Sequence, residues 1–224
     1  MSSELRLRYS QTGGSGYFCD ALQLGYLLPP SQLLIHLYFV LWMGMSKRVL
    51  CLIADGFEEI ETITPVDLLR RGGVEVIITS LGEGIHVTGR SGITMHADAM
   101  FADIDVTSFD LLFLPGGPQV VALRKDARVS TSVRLFATAG KAIAAICAAP
   151  LVLHDAGLLD GQIYTAHDST SSELVHAQLD ERVVIHGNLI TSRGAGTALD
   201  FGLALLKDLS GTEASDRVAK AIMA

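Results

Sequence analysis

The sequence predicts an α/β protein: a mostly parallel sheet with helices on both faces and one strand ending in a sharp turn into a helix. Three observations carry this. Short, continuous apolar runs recur along the chain, as strands buried on both faces require. Helical stretches alternate with them, which implies crossover connections and parallel pairing. Glycine- and proline-bearing turns close several runs, where open α/β sheets carry their sites.

The alternation starts at Arg48. Val49-Leu50-Cys51-Leu52-Ile53 reads as the first core strand. Asp55-Gly56 turns the chain. Glu58 to Arg71 then reads as a helix, with acidic residues in its first turn, Arg70-Arg71 in its last and Gly72-Gly73 as its stop. Pro65 lies inside it and predicts a kink or break. Val74 to Thr79 is the second strand. Residues 85–97 read as a hairpin, Ile85-His86-Val87 and Ile93-Thr94-Met95 about a Gly89-Arg90-Ser91-Gly92 turn. Leu111 to Leu114 is a third core strand, followed by Pro115-Gly116-Gly117-Pro118, and Ser130 to Gly140 suits a helix.

Ala142 to Ile146 reads as the next buried strand. Cys147 follows it, and Pro150 fits the first turn of a helix that continues through Leu151, Val152, Leu153 and His154 to a cap at Gly157. Beyond it, Ile163 to Ala166 and Arg182 to Ile185 are expected as strands, with a short helix near Ser171 to Ala177. His186-Gly187-Asn188 turns tightly into a strand over Leu189 to Ser192. Helices near Thr197 to Leu209 and Glu213 to Met223 complete the chain.

Cys147 sits on the strand-to-helix turn, which has the layout of a nucleophile elbow. Free backbone N–H groups and the helix dipole there favour a thiolate. The local pattern equally fits a buried cysteine acting as a small hydrophobe. Three features could act with it. Among Glu58, Glu59 and Glu61, the first two suit a solvated first helical turn. Glu61 instead lies between Ile60 and Thr62-Ile63, where the helix should bury its face; a carboxyl beside a thiol in a partly apolar pocket has a raised pKa and can carry a proton. Gly116 and Gly117 either bring backbone N–H groups to an oxyanion or supply a loop that needs positive φ. His167, one of seven histidines, stands out by its place just past a predicted strand end.

Composition narrows the function. The 224 residues carry a net charge of −7 with no basic run, which argues against nucleic acid as the main partner. The cysteines Cys19, Cys51 and Cys147 show neither a C-x-x-C pair nor metal-ligand spacing, so no disulfide framework or metal site is indicated and a reducing, cytoplasmic setting is expected. A G-x-G-x-x-G fingerprint and a phosphate-binding loop are both absent.

Residues 1–44 differ from the rest and show no clear periodicity. Leu33 to Met43 is apolar but about half the length a spanning helix needs. A transit peptide, a membrane-surface anchor and a leader translated from an upstream start are the readings open to this segment. The leader is favoured, because the α/β pattern begins at Met45-Ser46-Lys47-Arg48. Residues 1–44 are therefore expected to be an N-terminal extension, disordered or not native, and 45–224 the folded domain. A membrane is expected as a partner only through residues 33–43.

Several segments together resemble the DJ-1/ThiJ/PfpI superfamily, and more closely its parkinsonism-associated deglycase, glyoxalase III-like branch. They are Lys47-Arg48-Val49-Leu50, Asp55 to Thr62, Pro65 to Gly73, Leu114-Pro115-Gly116-Gly117, Ala144 to Pro150 and Thr191 to Thr197. They occur in family order over about 45–224.

This resemblance implies a flavodoxin-like sandwich, usually a homodimer. It makes Cys147 the reactive elbow cysteine, Glu61 the protonated acid bonded to it, and Gly117 and Ala148, with Gly116 beside them, the backbone oxyanion site. His167 resembles the family's histidine near the cysteine. The implied activity is cofactor-independent conversion of methylglyoxal or glyoxal to hydroxy acids, or repair of glycated amines, with protection against carbonyl and oxidative stress. The alternative is a redox sensor or chaperone in which Cys147 oxidises to sulfinate with little turnover. A further role on the same scaffold, such as thiazole biosynthesis, has no motif to support it. Three positions depart from the family pattern: Ala195 stands where relatives often have Pro, Asp168 likewise, and Ala148 stands where the protease branch has His, which disfavours a peptidase.

Overall fold

A computed structural model describes residues 46–224. The expectations for residues 1–44, including the apolar stretch 33–43, lie outside the described residues. Seven strands form one sheet in the order β5-β2-β1-β6-β7-β9-β8. They are β1 (Arg48–Ile53), β2 (Glu75–Ser80), β5 (Ala99–Met100), β6 (Leu111–Leu114), β7 (Ala142–Ile146), β8 (Val183–His186) and β9 (Leu189–Ser192). Neighbours pair in parallel, except that β8 runs antiparallel to β9 across the Gly187-Asn188 turn. Strands β3 (His86–Thr88) and β4 (Thr94–His96) form the separate hairpin.

The sheet is covered on both faces because its central strands are apolar on both sides: Val49–Ile53 of β1 and all of β6 and β7. In β1, Val49, Cys51 and Ile53 join one core, and Leu50 and Leu52 join the other. Helices α1 (Glu59–Arg71), α5 (Ala198–Ser210) and α6 (Thr212–Ala221) pack on the first face through residues such as Leu69, Phe201 and Val218. Helices α2 (Val120–Lys125), α3 (Ala127–Thr138) and α4 (Pro150–Asp155) pack on the second through Leu123, Phe136 and Val152. Each fully buried Leu or Phe contributes roughly 1.5–3 kcal/mol. After β2 the chain returns to the far side of β1 as β6, so the order reverses between β1 and β6. The carboxyl ends of β1, β6 and β7 meet at this switch point, where such folds bind ligands.

Four local expectations are corrected. Pro65 does not break helix α1, which continues through it, because burial of Pro65, Val66, Leu68 and Leu69 holds the segment despite the lost N–H bond. Residues 163–166 form no strand: the Thr165 N–H donates to the Thr191 hydroxyl (2.9 Å) and not to a backbone ladder. Residues 171–177 are turns, not a helix; Leu174 is buried but Val175 is 69% exposed, so no apolar helical face exists to dock. Finally, α2 and β5, only six and two residues long, add two elements that the sequence does not predict.

Candidate active site

Cys147 has φ +66°, a left-handed conformation that costs a non-glycine residue about 1–2 kcal/mol. Its backbone is pinned on both sides. The Cys147 N–H donates to the Ser192 carbonyl (2.9 Å), and the His167 N–H donates to the Cys147 carbonyl (2.9 Å). The elbow thus carries the thiol off the end of β7, with the Gly117 and Ala148 N–H groups directed at it. Cys51, by contrast, is fully buried in the core.

Two glycines bring the loop after β6 onto the thiol. A Cβ on Gly116 would sit 2.5 Å from Glu61 Oε2 and 2.6 Å from the Cys147 Cβ, so no side chain fits. Gly117 has φ +91° and lies against the Gly56 carbonyl and the Glu58 N–H. Both readings of the pair therefore hold: close approach at Gly116, and positive φ at Gly117.

Glu61 is 2% exposed, and its Oε2 has no hydrogen-bond donor at bonding geometry. Burial pushes its pKa up to about 7, aided by the charge of Glu58 and opposed by the Cys147 thiol and the Gly116 and Ala195 N–H groups. A carboxyl in that state carries a proton near neutrality. Burial, with Glu61 beside it, also pushes the Cys147 thiol up to about 12, against the Gly117 and Ala148 N–H groups. This corrects the expectation of a thiolate favoured by the elbow alone. The pair titrates as one unit: the thiolate is favoured when Glu61 holds the proton, because the repulsion between the two charges is then removed.

The other two acids correct the expectation of a solvated first helical turn: both are buried. Glu58 is 8% exposed and Glu59 6%. Glu58 is the N-cap of α1; its carboxylate accepts the Glu61 N–H (2.7 Å), and its own N–H donates to the Gly116 carbonyl (3.2 Å). Glu59 accepts the Ser91 N–H (2.8 Å), tying α1 to the hairpin. Burial raises the pKa of Glu59, but N–H groups of its own residue, Ser91 and Ile93 outweigh this and hold it below the usual range. Two carboxyls two residues apart thus have their pKa values pushed in opposite directions.

His167 reaches Cys147 through its backbone; its exposed ring bonds the Ser169 hydroxyl through Nδ1 (2.9 Å) and flanks Gly194 with Cδ2. Sequence reasoning missed Gln119. This buried side chain accepts the Ala54 N–H (2.6 Å) and donates to the Pro115 carbonyl (2.9 Å), clamping the ends of β1 and β6 together. Its only sequence signal is an amide directly after Gly116-Gly117-Pro118. Among the described residues no cluster of three or more His, Cys, Asp or Glu could hold a metal ion, and no helix is long and apolar enough to cross a membrane.

The sequence pattern of the DJ-1/PfpI family matches residues 47–208, which spans the elbow, the glycine loop and Glu61. The chain belongs to the DJ-1/PfpI family. Drosophila melanogaster DJ-1beta is 37% identical over 183 residues, covering 80% of this chain and 98% of that one. A crystal structure of Drosophila DJ-1beta matches with a TM-score of 0.77 at 38% identity, with the same coverage. Pyrococcus abyssi deglycase PYRAB04690 is 37% identical over 154 residues, covering 66% of this chain and 91% of that one. Bacillus subtilis YraA, whose name assigns it provisionally to the cysteine proteases, is 36% identical over 152 residues, with 66% and 90% covered. As a DJ-1/PfpI protein, the chain thus has relatives named both for deglycation and for proteolysis.

Proposed function

We propose that this protein is a cofactor-independent cysteine enzyme that converts small dicarbonyls such as methylglyoxal to hydroxy acids. The observation that carries the reading is the buried Glu61 carboxyl, its Oε2 without a donor at bonding geometry, beside an elbow thiol that faces two backbone N–H groups. Cys147 sulfur attacks the aldehyde carbon and the oxyanion sits against the Gly117 and Ala148 N–H groups. Glu61 moves the proton from the former aldehyde carbon by way of an enediol to the neighbouring carbon. The resulting thioester is hydrolysed by water. In balance, the aldehyde carbon is oxidised to a carboxylate, the ketone is reduced to an alcohol, one water is consumed and one proton is released. No external oxidant enters. His167, with an exposed ring, assists proton exchange with solvent.

A redox-sensing reading uses the same residues. The Gly117 and Ala148 N–H groups and a protonated Glu61 are donors that suit a sulfinate on Cys147. Peptidase activity is disfavoured by Ala148, which supplies no imidazole next to the nucleophile. A second copy of the chain is the proposed partner. Ile60 and Ile63 on α1 and Ile93 on the hairpin are 53%, 43% and 53% exposed, an apolar grouping suited to a homodimer. Sedimentation equilibrium checks this. The cytoplasm is the proposed compartment.

The deciding experiment follows methylglyoxal loss and lactate formation without glutathione in wild type and Cys147→Ser. Turnover lost in the variant supports the enzyme reading. No turnover in folded wild type, with Cys147 readily oxidised to sulfinate by mass spectrometry, favours the sensor.

A further inference from the structure

The turn over residues 192–197 also borders the site. The Ser192 carbonyl holds the Cys147 N–H. A Cβ on Gly194 would sit 3.3 Å from His167 Cδ2 and 3.6 Å from Glu61 Oε1, and the Ala195 N–H acts on Glu61. The turn is stiff, because Thr197 Oγ1 bonds both Ser192 Oγ (2.6 Å) and the Gly194 N–H (3.2 Å). Arg193 lies between these two anchors. With His167, Asp168, Arg182 and Gly194 it lines a cavity of about 380 Å³.

The two guanidiniums of that cavity differ. Arg182 is engaged, with Nε on Asp200 at 2.6 Å and a second nitrogen on the Gly196 carbonyl at 3.0 Å. Arg193 makes one long ion pair, 3.4 Å to Asp168, and its remaining donors have no partner within the described residues. All other ion pairs among the described residues are shorter, from 2.6 to 3.2 Å. A guanidinium with spare donors, fixed on a stiff turn next to the histidine of the site, is built to take a carboxylate in its fork.

We propose that Arg193 determines substrate choice by binding the carboxylate of an anionic 2-oxoaldehyde. The proposal rests on Cys147 being the nucleophile. The substrate class is methylglyoxal extended by a short acid arm, for example 4,5-dioxopentanoate. Its aldehyde carbon reacts at Cys147 while the distal carboxylate displaces Asp168 from Arg193. With one water it yields 2-hydroxyglutarate and a proton, by the same internal oxidation and reduction.

The test uses the full chain. It compares kcat/KM for 4,5-dioxopentanoate and methylglyoxal in wild type, Arg193→Gln, Arg193→Lys and Asp168→Asn, with calorimetric binding of 2-hydroxyglutarate and lactate alongside. Wild type should prefer the acidic substrate. Arg193→Gln should lower the ratio of the two kcat/KM values about tenfold through KM, the worth of one charge-assisted hydrogen bond. Arg193→Lys should restore part of it, and Asp168→Asn should raise it. A ratio unchanged by Arg193→Gln overturns the proposal. If wild type turns over neither substrate, the enzyme reading fails and binding decides. Tighter binding of 2-hydroxyglutarate than lactate, lost in Arg193→Gln, supports the anion site; equal binding in both proteins overturns it.

Discussion

Glu58 donates its backbone N–H to the Gly116 carbonyl (3.2 Å), and this bond joins the acid-bearing helix α1 to the glycine turn after β6. The carboxylate of the same residue caps the Glu61 N–H, so one residue orients both the proton carrier and the loop bearing the Gly117 N–H. Glu58→Gln keeps an acceptor for the cap and removes the charge that raises the Glu61 pKa. The pH midpoint of turnover should therefore move below about 7. Glu58→Ala should also lose about 1 kcal/mol of stability with the cap. A pH–rate profile and a urea titration read the two effects.

Glu61 links pH to folding. Its pKa is about 7 in the folded protein against the ordinary 4.5, so the folded state binds more protons between those values. The contribution of this group to stability is then greatest at acid pH and is lost as pH rises through about 7. The loss from this group is about 3 kcal/mol across the window. The difference in urea midpoint between wild type and Glu61→Gln, followed from pH 4 to 8, should move in favour of the variant as pH rises. A difference constant with pH would contradict the raised pKa.

Gly116→Ala places a methyl group where Glu61 Oε2 and the Cys147 Cβ already stand. It should cost about 1–3 kcal/mol and reduce turnover at least about a hundredfold. At Gly196 a Cβ meets nothing within 4 Å, so Gly196→Ala should stay within about 0.5 kcal/mol of wild type. Thermal unfolding of the two variants side by side makes the comparison.

The elbow holds strain at Cys147, at φ +66°. Cys147→Gly should be more stable than Cys147→Ala by about 1 kcal/mol, because glycine adopts that conformation freely. Both should lack turnover. Equal stability of the two variants would mean that the elbow is relaxed.

Gln119→Met removes partners from the Ala54 N–H and the Pro115 carbonyl, both buried. Leaving these groups unpaired should cost at least about 2 kcal/mol. It should also free the glycine loop, which hydrogen exchange at Gly116 and Gly117 would register as faster.

Much of the fold was legible because its signals are local. The runs at Val49–Ile53, Leu111–Leu114 and Ala142–Ile146 read as strands without reference to anything else, and all three form in the sheet. Glu61 could be singled out as a carboxylate in an apolar stretch, although Ile60 and Ile63 beside it are exposed and the burial is that of Glu61 and Thr62 themselves. Residues 163–166 misled, since an apolar run says nothing of whether a ladder partner is free; Thr191 offers its side chain there. Glu58 and Glu59 misled in the other direction. Acids in a first helical turn are ordinarily solvated, and only the folded hairpin and glycine loop show that Glu58 is a buried cap and Glu59 a buried tie to the hairpin.

The sequence by itself determined the α/β architecture and the strand-to-helix elbow at Cys147, and it drew notice to Glu61, since each rests on periodicity, turn chemistry or an out-of-place charge within a few residues. Tertiary structure alone decided the proton balance between Cys147 and Glu61, the clamp at Gln119 and the spare donors of Arg193. Those depend on burial and on partners tens of residues away, such as Ala54 and Gln119, 65 apart. Electrostatic energy and hydrogen bonding follow distance in space, and that distance exists only once the sheet has brought the strand ends together.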